Sequence, residues 1–246
     1  MTAIVLVPGF WLGGWAWEGV TRDLRALGHD VYPVTLTGLA DRAAEASPEV
    51  NVQTHVGDVV RVIEDNDLHD VVLVGHSGAN MPVTGAADRI PGRLRRIVYV
   101  DTGPMPAGMA AIEFNPPEAQ EALHTQVNAE GDGWRIPVPS FDPADDPVNY
   151  EGLTEEHRAA LRERGTPEPF GASTQRLNRP EKVPGTPRTL IACTFTPEQV
   201  RTLAGSGNPI FGPMADMDIH HLPTGHWPMF SRPKDLAALL DEIARE

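Results

Sequence analysis

Val71-Val-Leu-Val-Gly75-His76-Ser77-Gly78-Ala79 sets one serine among small residues, after a Val-rich run and before a helix-compatible stretch from Ala79 to Ile90. That pattern reads as a strand, a sharp turn bearing the serine, and a helix: a nucleophile elbow. The backbone doubles back at such a turn, so small side chains are required two positions to either side, and Ala79 can stand where the strict pattern has Gly. A serine at a helix start also faces amide dipoles that favour developing negative charge. The chemistry implied is attack on a carbonyl, and a Ser hydroxyl needs a base to take its proton. His226, in Thr224-Gly225-His226-Trp227-Pro228-Met229, follows the last strand signal and precedes the terminal helix, which suits the order Ser, acid, His. The other histidines fit less well. His76 adjoins the serine with its side chain expected to turn away, and His29, His55, His69 and His157 stand in charged, surface-like contexts. Asp218, His220, His221 and His226 have the composition of a metal set, but adjacent strand residues point to opposite faces and cannot both bind one ion. No metal and no cofactor are expected.

These residues need elements to hold them. Ala3 to Val7 reads as a buried strand, followed by Trp17, Val20, Leu24 and Leu27 on one helical face with Gly28 as a stop. Val31 to Leu36 is a second strand weakened by Pro33. Asn51 is a plausible N-cap for a helix whose face is Val52, Val56, Val59, Val60 and Ile63. Val71 to Val74, Ile97 to Val100, Thr189 to Cys193 and a short run near Ile219 supply further strands, and Leu236, Leu239, Leu240 and Ile243 mark a terminal amphipathic helix. Val- and Ile-rich strands separated by helices predict an α/β fold, a mostly parallel sheet with helices on both faces. Ligands then belong at the carboxyl ends of the strands. The alternation stops between Thr102 and Arg188, where 13 of the 24 prolines fall, so residues 104–187 are expected to be a helical cap inserted between core segments 1–103 and 188–246. Thr154 to Arg164 is one of its helices.

Composition bounds the function. A chain of 246 residues with 41% hydrophobic and 22% charged residues is globular rather than disordered. The net charge of −14 speaks against nucleic acid and anionic membrane surfaces as partners. The single Cys193 forms no intrachain disulfide, and no stretch approaches the roughly 20 apolar residues that span a bilayer. The expected setting is cytoplasmic and the expected partner a small-molecule substrate, with a homodimer left open.

The sequence resembles the alpha/beta-hydrolase superfamily over nearly its whole length, and within it the small esterase and hydroxynitrile lyase group typified by plant methyl-salicylate and methyl-jasmonate esterases. The resemblance rests on Val5-Leu-Val-Pro-Gly9-Phe10-Trp11-Leu-Gly-Gly14-Trp15, Gly38-Leu-Ala-Asp-Arg42, the elbow, Tyr99-Val-Asp101-Thr-Gly-Pro-Met-Pro106 and Thr224-Gly-His226-Trp-Pro-Met229. It implies an oxyanion hole from the amides of Phe10 and Gly78. It also implies an acid just after the strand Leu190-Ile-Ala-Cys-Thr194, yet the chain continues Phe195-Thr196-Pro197 with no carboxylate. Other branches of the superfamily carry the acid where Asp101 stands, so Asp101 is preferred, with Glu198 and a site lacking an acid as alternatives. Lyase members carry Thr at the place of Gly9 and Lys after the catalytic His, where this chain has Trp227, which disfavours cyanohydrin cleavage.

The resulting expectation is a serine hydrolase cleaving a small, mainly apolar ester or lactone through an acyl-enzyme. Ser77 is the nucleophile, His226 the base and Asp101 the orienting acid, and Trp11, Trp227 and Met229 are candidates to touch substrate. The rivals are a ligand-binding protein on the hydrolase fold and a non-hydrolytic enzyme of the lyase or secondary-metabolism kind.

Overall fold

In a computed structural model describing residues 1–246, the chain runs β1 (Ala3–Val7), α1 (Glu18–Ala26), β2 (Asp30–Pro33), α2 (Val52–Asp65), β3 (Val71–His76), α3 (Asn80–Arg89) and β4 (Leu94–Val100). The next segment carries α4 (Pro117–Glu130), β5 (Arg135–Ile136), α5 (Glu155–Arg164), β6 (Glu168–Pro169) and the short α6 (Gly171–Thr174). It is followed by β7 (Arg188–Ala192), α7 (Pro197–Gly205), β8 (Asp218–His221), the short α8 (Pro228–Ser231) and α9 (Pro233–Arg245). Six strands form one parallel sheet in the order β2-β1-β3-β4-β7-β8. Strands β5 and β6 pair antiparallel as a separate ribbon.

Successive strand residues point to opposite faces. Val5, Leu73, Ile97, Tyr99 and Leu190 therefore meet Val56, Val59 and Ile63 of α2 and Val83 of α3 in one core. Ile4, Leu6, Val72, Val98 and Ile191 meet Val20 and Leu24 of α1 and Leu236, Leu240 and Ile243 of α9 in the other. Each such side chain, fully removed from water, contributes about 1.5–3 kcal/mol before entropy is charged against it. The cap of α2 forms as its sequence predicts: the Asn51 side chain accepts from the N–H groups of Gln53 and Thr54, and Thr54 Oγ1 accepts from the Asn51 N–H.

Some boundaries differ from the sequence reading. Strand β2 ends at Pro33 rather than Leu36; it lies on the sheet edge, where a residue without an N–H is tolerated. Helix α7 was not anticipated, although Thr196 caps it by accepting from the Gln199 N–H and Pro197 opens it. His29 and His55 are buried, not surface residues. His55 lies three residues after Val52 and so shares its inward face, whatever charges neighbour it in sequence.

The segment between β4 and β7 packs on the loops at the carboxyl ends of β1 and β8. Thr166 donates its N–H to the Trp11 carbonyl at 2.9 Å, and the His226 N–H donates to the Asn149 carbonyl at 2.7 Å. Phe141, fully buried, meets Trp11, Tyr150 and Trp227 at ring separations of 6.4, 5.8 and 5.6 Å. Phe141→Ala would leave a void under both loops, and a loss of about 3–5 kcal/mol is expected in urea denaturation.

Candidate active site

Strand β3 delivers Ser77 at the carboxyl edge of the sheet with φ of 52°, a left-handed conformation that a non-glycine residue adopts only when its surroundings enforce it. The space around it shows what enforces it. A Cβ on Gly75 would come within 2.7 Å of Val83, and one on Gly9 within 2.8 Å of the Ser77 Cβ. Smallness at these positions lets β1, β3 and α3 close around the turn. A Cβ on Gly78 would meet the Phe10 ring at 2.5 Å, so the ring lies flush against the residue after the serine.

The three polar residues singled out in the sequence are brought together. His226 Nδ1 lies 2.7 Å from Asp101 Oδ2 and its Nε2 2.7 Å from Ser77 Oγ. A nitrogen facing a carboxylate must carry the proton, so Nδ1–H donates to Asp101, and Nε2 is left to accept from the Ser77 hydroxyl. Burial alone would raise the Asp101 carboxyl; the hydrogen bond and charge of His226 and the N–H groups of Thr194 and Cys193 outweigh it and hold the group below its ordinary range. Those N–H groups lie 2.9 Å from Oδ1, and the Thr194 hydroxyl also donates to the carboxylate. The loop after β7, which lacks a carboxylate of its own, thus solvates the one at the end of β4. Glu198 is exposed in the first turn of α7 and is not the partner of His226.

Residues 4–239 match the model of an alpha/beta hydrolase family. The chain belongs to that family. A carbendazim-hydrolysing esterase of Nocardioides sp. (strain SG-4G) is 39% identical over 130 residues, 53% of this chain and 52% of that relative, so this match spans about half of its length. Methyl jasmonate esterase 1 of Vitis vinifera is 25% identical over 257 residues, 97% of this chain and 95% of its own. Among solved structures, an extracellular alpha/beta-hydrolase from a Paenibacillus species, described as sharing structural and functional homology with tobacco salicylic acid binding protein 2, has a TM-score of 0.83 at 21% identity over 100% of both chains. Tomato methylketone synthase I has a TM-score of 0.74 at 17% identity, over 99% of this chain and 98% of that one. These two structural likenesses show the fold.

Within this alpha/beta hydrolase, the Phe10 N–H makes no hydrogen bond to the protein, whereas the next residue is tightly held. Trp11, with φ of 67°, donates its N–H to Glu168 Oε2 at 3.0 Å. Glu168 was not among the residues singled out in the sequence, where it reads as one more charge in an acidic chain. It is 1% exposed, and burial pushes its carboxyl up to about 8 against the smaller opposing effect of the Trp11 N–H. Its Oε1 has no hydrogen-bond partner and faces His55 Nδ1 at 4.0 Å. His55 Nε2 donates to the Thr37 carbonyl at 2.9 Å, so Nδ1 is bare, and burial lowers the pKa of the ring. The two groups meet as a neutral acid and a neutral imidazole. His76 is neutral as well, pushed down to about 3 by burial and by the neighbouring His226. Its Nε2–H donates to the His226 carbonyl at 2.6 Å and braces the loop beneath the imidazole.

Of the residues expected to touch substrate, Trp11, Trp227 and Met229, the latter two are buried in the structure. Trp227 and Met229 are 7% and 3% exposed and belong to the core shared by α1 and α9, and Trp227 stacks on Tyr150 at 5.1 Å. Trp11 is half-buried and edge-on to Phe141. An apolar cavity, partly open to solvent, lies beside Asp101, away from Ser77 and His226, and is walled by Phe114, Phe195, Phe211 and Met214. Sequence reasoning passed over these side chains because they come from three separate segments.

Asp101→Asn keeps the shape but allows the wrong imidazole tautomer, and turnover is expected to fall about 10⁴-fold at neutral pH, while Glu198→Gln stays within about twofold in steady-state assays. A second expectation concerns stability. An unfolded Glu titrates near about 4.3, whereas Glu168 titrates at about 8 in the fold. The stability carried by its acid form is complete below the unfolded value and is lost as pH rises through the folded one. Glu168→Gln mimics the acid form at every pH, so its urea midpoint relative to the unsubstituted protein is expected to rise between about pH 5 and pH 8.

Proposed function

We propose that the protein is a serine esterase that cleaves a small, mainly apolar carboxylic ester or lactone through an acyl-enzyme on Ser77. That it is a carboxylic ester hydrolase follows from its esterase relatives; the nucleophile, the covalent intermediate and the substrate class are the proposal. The observation that carries it is the unbroken line from Asp101 through both ring nitrogens of His226 to the Ser77 hydroxyl.

In this reading His226 Nε2 takes the Ser77 proton as Oγ attacks the ester carbonyl, and the Asp101 carboxylate stabilises the imidazolium that forms. The oxyanion is received by the N–H groups of Phe10 and Gly78. His226 returns the proton to the leaving alkoxide, giving the alcohol and the Ser77 ester. Water, deprotonated by the same imidazole, then releases the acid and restores the serine. Residues 104–187 act as a cap over the carboxyl edge of the sheet. The substrate is small because the inserted segment meets the catalytic loops closely, and apolar because the Phe10 ring lies against Gly78 beside the nucleophile. Relatives described as a carbendazim-hydrolysing esterase and a methyl jasmonate esterase support the reading of an ester substrate. A methylketone synthase shares the fold, so fold by itself does not select hydrolysis.

A fluorophosphonate probe is expected to label Ser77 stoichiometrically and to abolish turnover of short p-nitrophenyl esters. Ser77→Ala is expected to lose labelling and at least about 10³-fold in rate with an unchanged circular dichroism spectrum. An unlabelled but active protein would require a different chemistry.

A further inference from the structure

The residue after the proposed oxyanion donor is held from both sides by the stretch of the inserted segment from Thr166 to Glu168. The Trp11 N–H donates to Glu168 Oε2 at 3.0 Å, and the Trp11 carbonyl accepts from the Thr166 N–H at 2.9 Å and from its hydroxyl at 3.4 Å. Thr166 Oγ1 also accepts from the Ala40 N–H at 2.9 Å, which ties the clamp to a second loop of the core. Glu168 reaches Trp11 across 157 positions of sequence, from the ribbon in which it pairs with Ile136.

Two features show that this contact is more than packing. Trp11 is in the left-handed region, a conformation that costs a bulky residue energy and persists only where its surroundings fix it. Glu168 itself is poorly satisfied. It is buried with one oxygen lacking any partner, in a small cavity among Phe10, Gly78, Leu36 and Met81, where an apolar side chain would fill the volume without that penalty. What an apolar residue cannot supply is an acceptor for the Trp11 N–H. The peptide that carries this N–H holds the Phe10 carbonyl, so fixing its plane limits the φ and ψ of Phe10 and, through them, the direction of the Phe10 N–H in the preceding peptide.

We propose that Glu168 is a positioning residue of the hydrolytic site: its carboxyl, reaching in from the inserted segment, holds the Trp11 amide and thereby fixes the Phe10 N–H toward the oxyanion. The inference rests on the reading of Phe10 as an oxyanion donor. It makes the oxyanion hole a composite, with the donor on the core and the group that aims it on the cap. Because Glu168 touches neither Ser77 nor His226, its removal acts on the transition state through Phe10 and leaves the nucleophile and base in place.

The test compares Glu168→Met, which fills the volume without an acceptor, with Glu168→Gln, which keeps a carbonyl for Trp11. For Glu168→Met, kcat on p-nitrophenyl butyrate is expected to fall about 10- to 100-fold, part of the value of a whole oxyanion donor, with KM changed less than about threefold. Affinity for phenylboronic acid, which forms a tetrahedral adduct on an active serine, is expected to fall by a similar factor, while affinity for butyrate holds. Glu168→Gln is expected to restore kcat to within about threefold of the unsubstituted protein. If Glu168→Met does not fold, Glu168→Asp, whose carboxylate is one methylene short of Trp11, carries the same expectation.

An unchanged kcat in Glu168→Met would overturn the proposal. So would a loss that Gln fails to rescue, or parallel losses in kcat, butyrate affinity and boronate affinity that track a lower melting temperature. Failure of the underlying reading is distinguishable: the unsubstituted protein would then resist fluorophosphonate, or Ser77→Ala would stay active, whatever Glu168 does.

Discussion

Keeping the Asp101 carboxylate charged while its side chain is only 4% exposed is the constraint around which the site is arranged. An isolated buried carboxylate would take up a proton, and a protonated Asp101 could not hold His226 in the tautomer that leaves Nε2 bare. The fold meets this with donors from two places. The backbone of the loop after β7 supplies the Cys193 and Thr194 amides, and the loop after β8 supplies the imidazole. The parallel pairing of β4 with β7 and of β7 with β8 brings these three strand ends side by side, so the register of the sheet sets the geometry of the acid.

A second constraint is steric. Ser77, Trp11 and Asp101 all have positive φ, and each follows soon after a strand end on the same edge of the sheet. Such strain needs a rigid frame, and the two cores on either face of the sheet provide it. Gly9 and Gly75 permit the close approach that this geometry demands, and a methyl group at either would push the loops apart.

The inserted segment does two kinds of work. Its aromatic residues, Phe141 and Tyr150, pack with Trp227 and seat the loop that carries His226. Its stretch from Thr166 to Glu168 reaches the opposite side of the site and grips the loop after β1. The segment therefore touches both the base and the proposed oxyanion loop, and its docking and the catalytic geometry share contacts.

Much of this was legible in the sequence, because strand and helix periodicity, capping residues and the small-residue pattern around Ser77 are local properties. The Val-rich strands, the Asn51 cap, the elbow and the late His226 all follow from neighbours within a few positions. Asp101 came from the family resemblance, since other branches of the superfamily carry their acid at that place and the loop after Leu190–Thr194 lacks a carboxylate. Its role as the partner of His226 depends on strand order, a property of the whole sheet. Glu168 and His55 were not legible: a Glu in an acidic chain and a His among charges look exposed, whereas the fold buries both and sets them face to face. Trp11, Trp227 and Met229 show the converse. Their positions beside the catalytic residues suggested contact with substrate, but chain neighbours need not share a face, and the tertiary structure turns Trp227 and Met229 into the core and Trp11 against Phe141. Local sequence determined which residues could do chemistry and on which elements they ride; packing between distant segments decided which of them meet, because burial and charge compensation depend on what lies across the fold rather than along the chain.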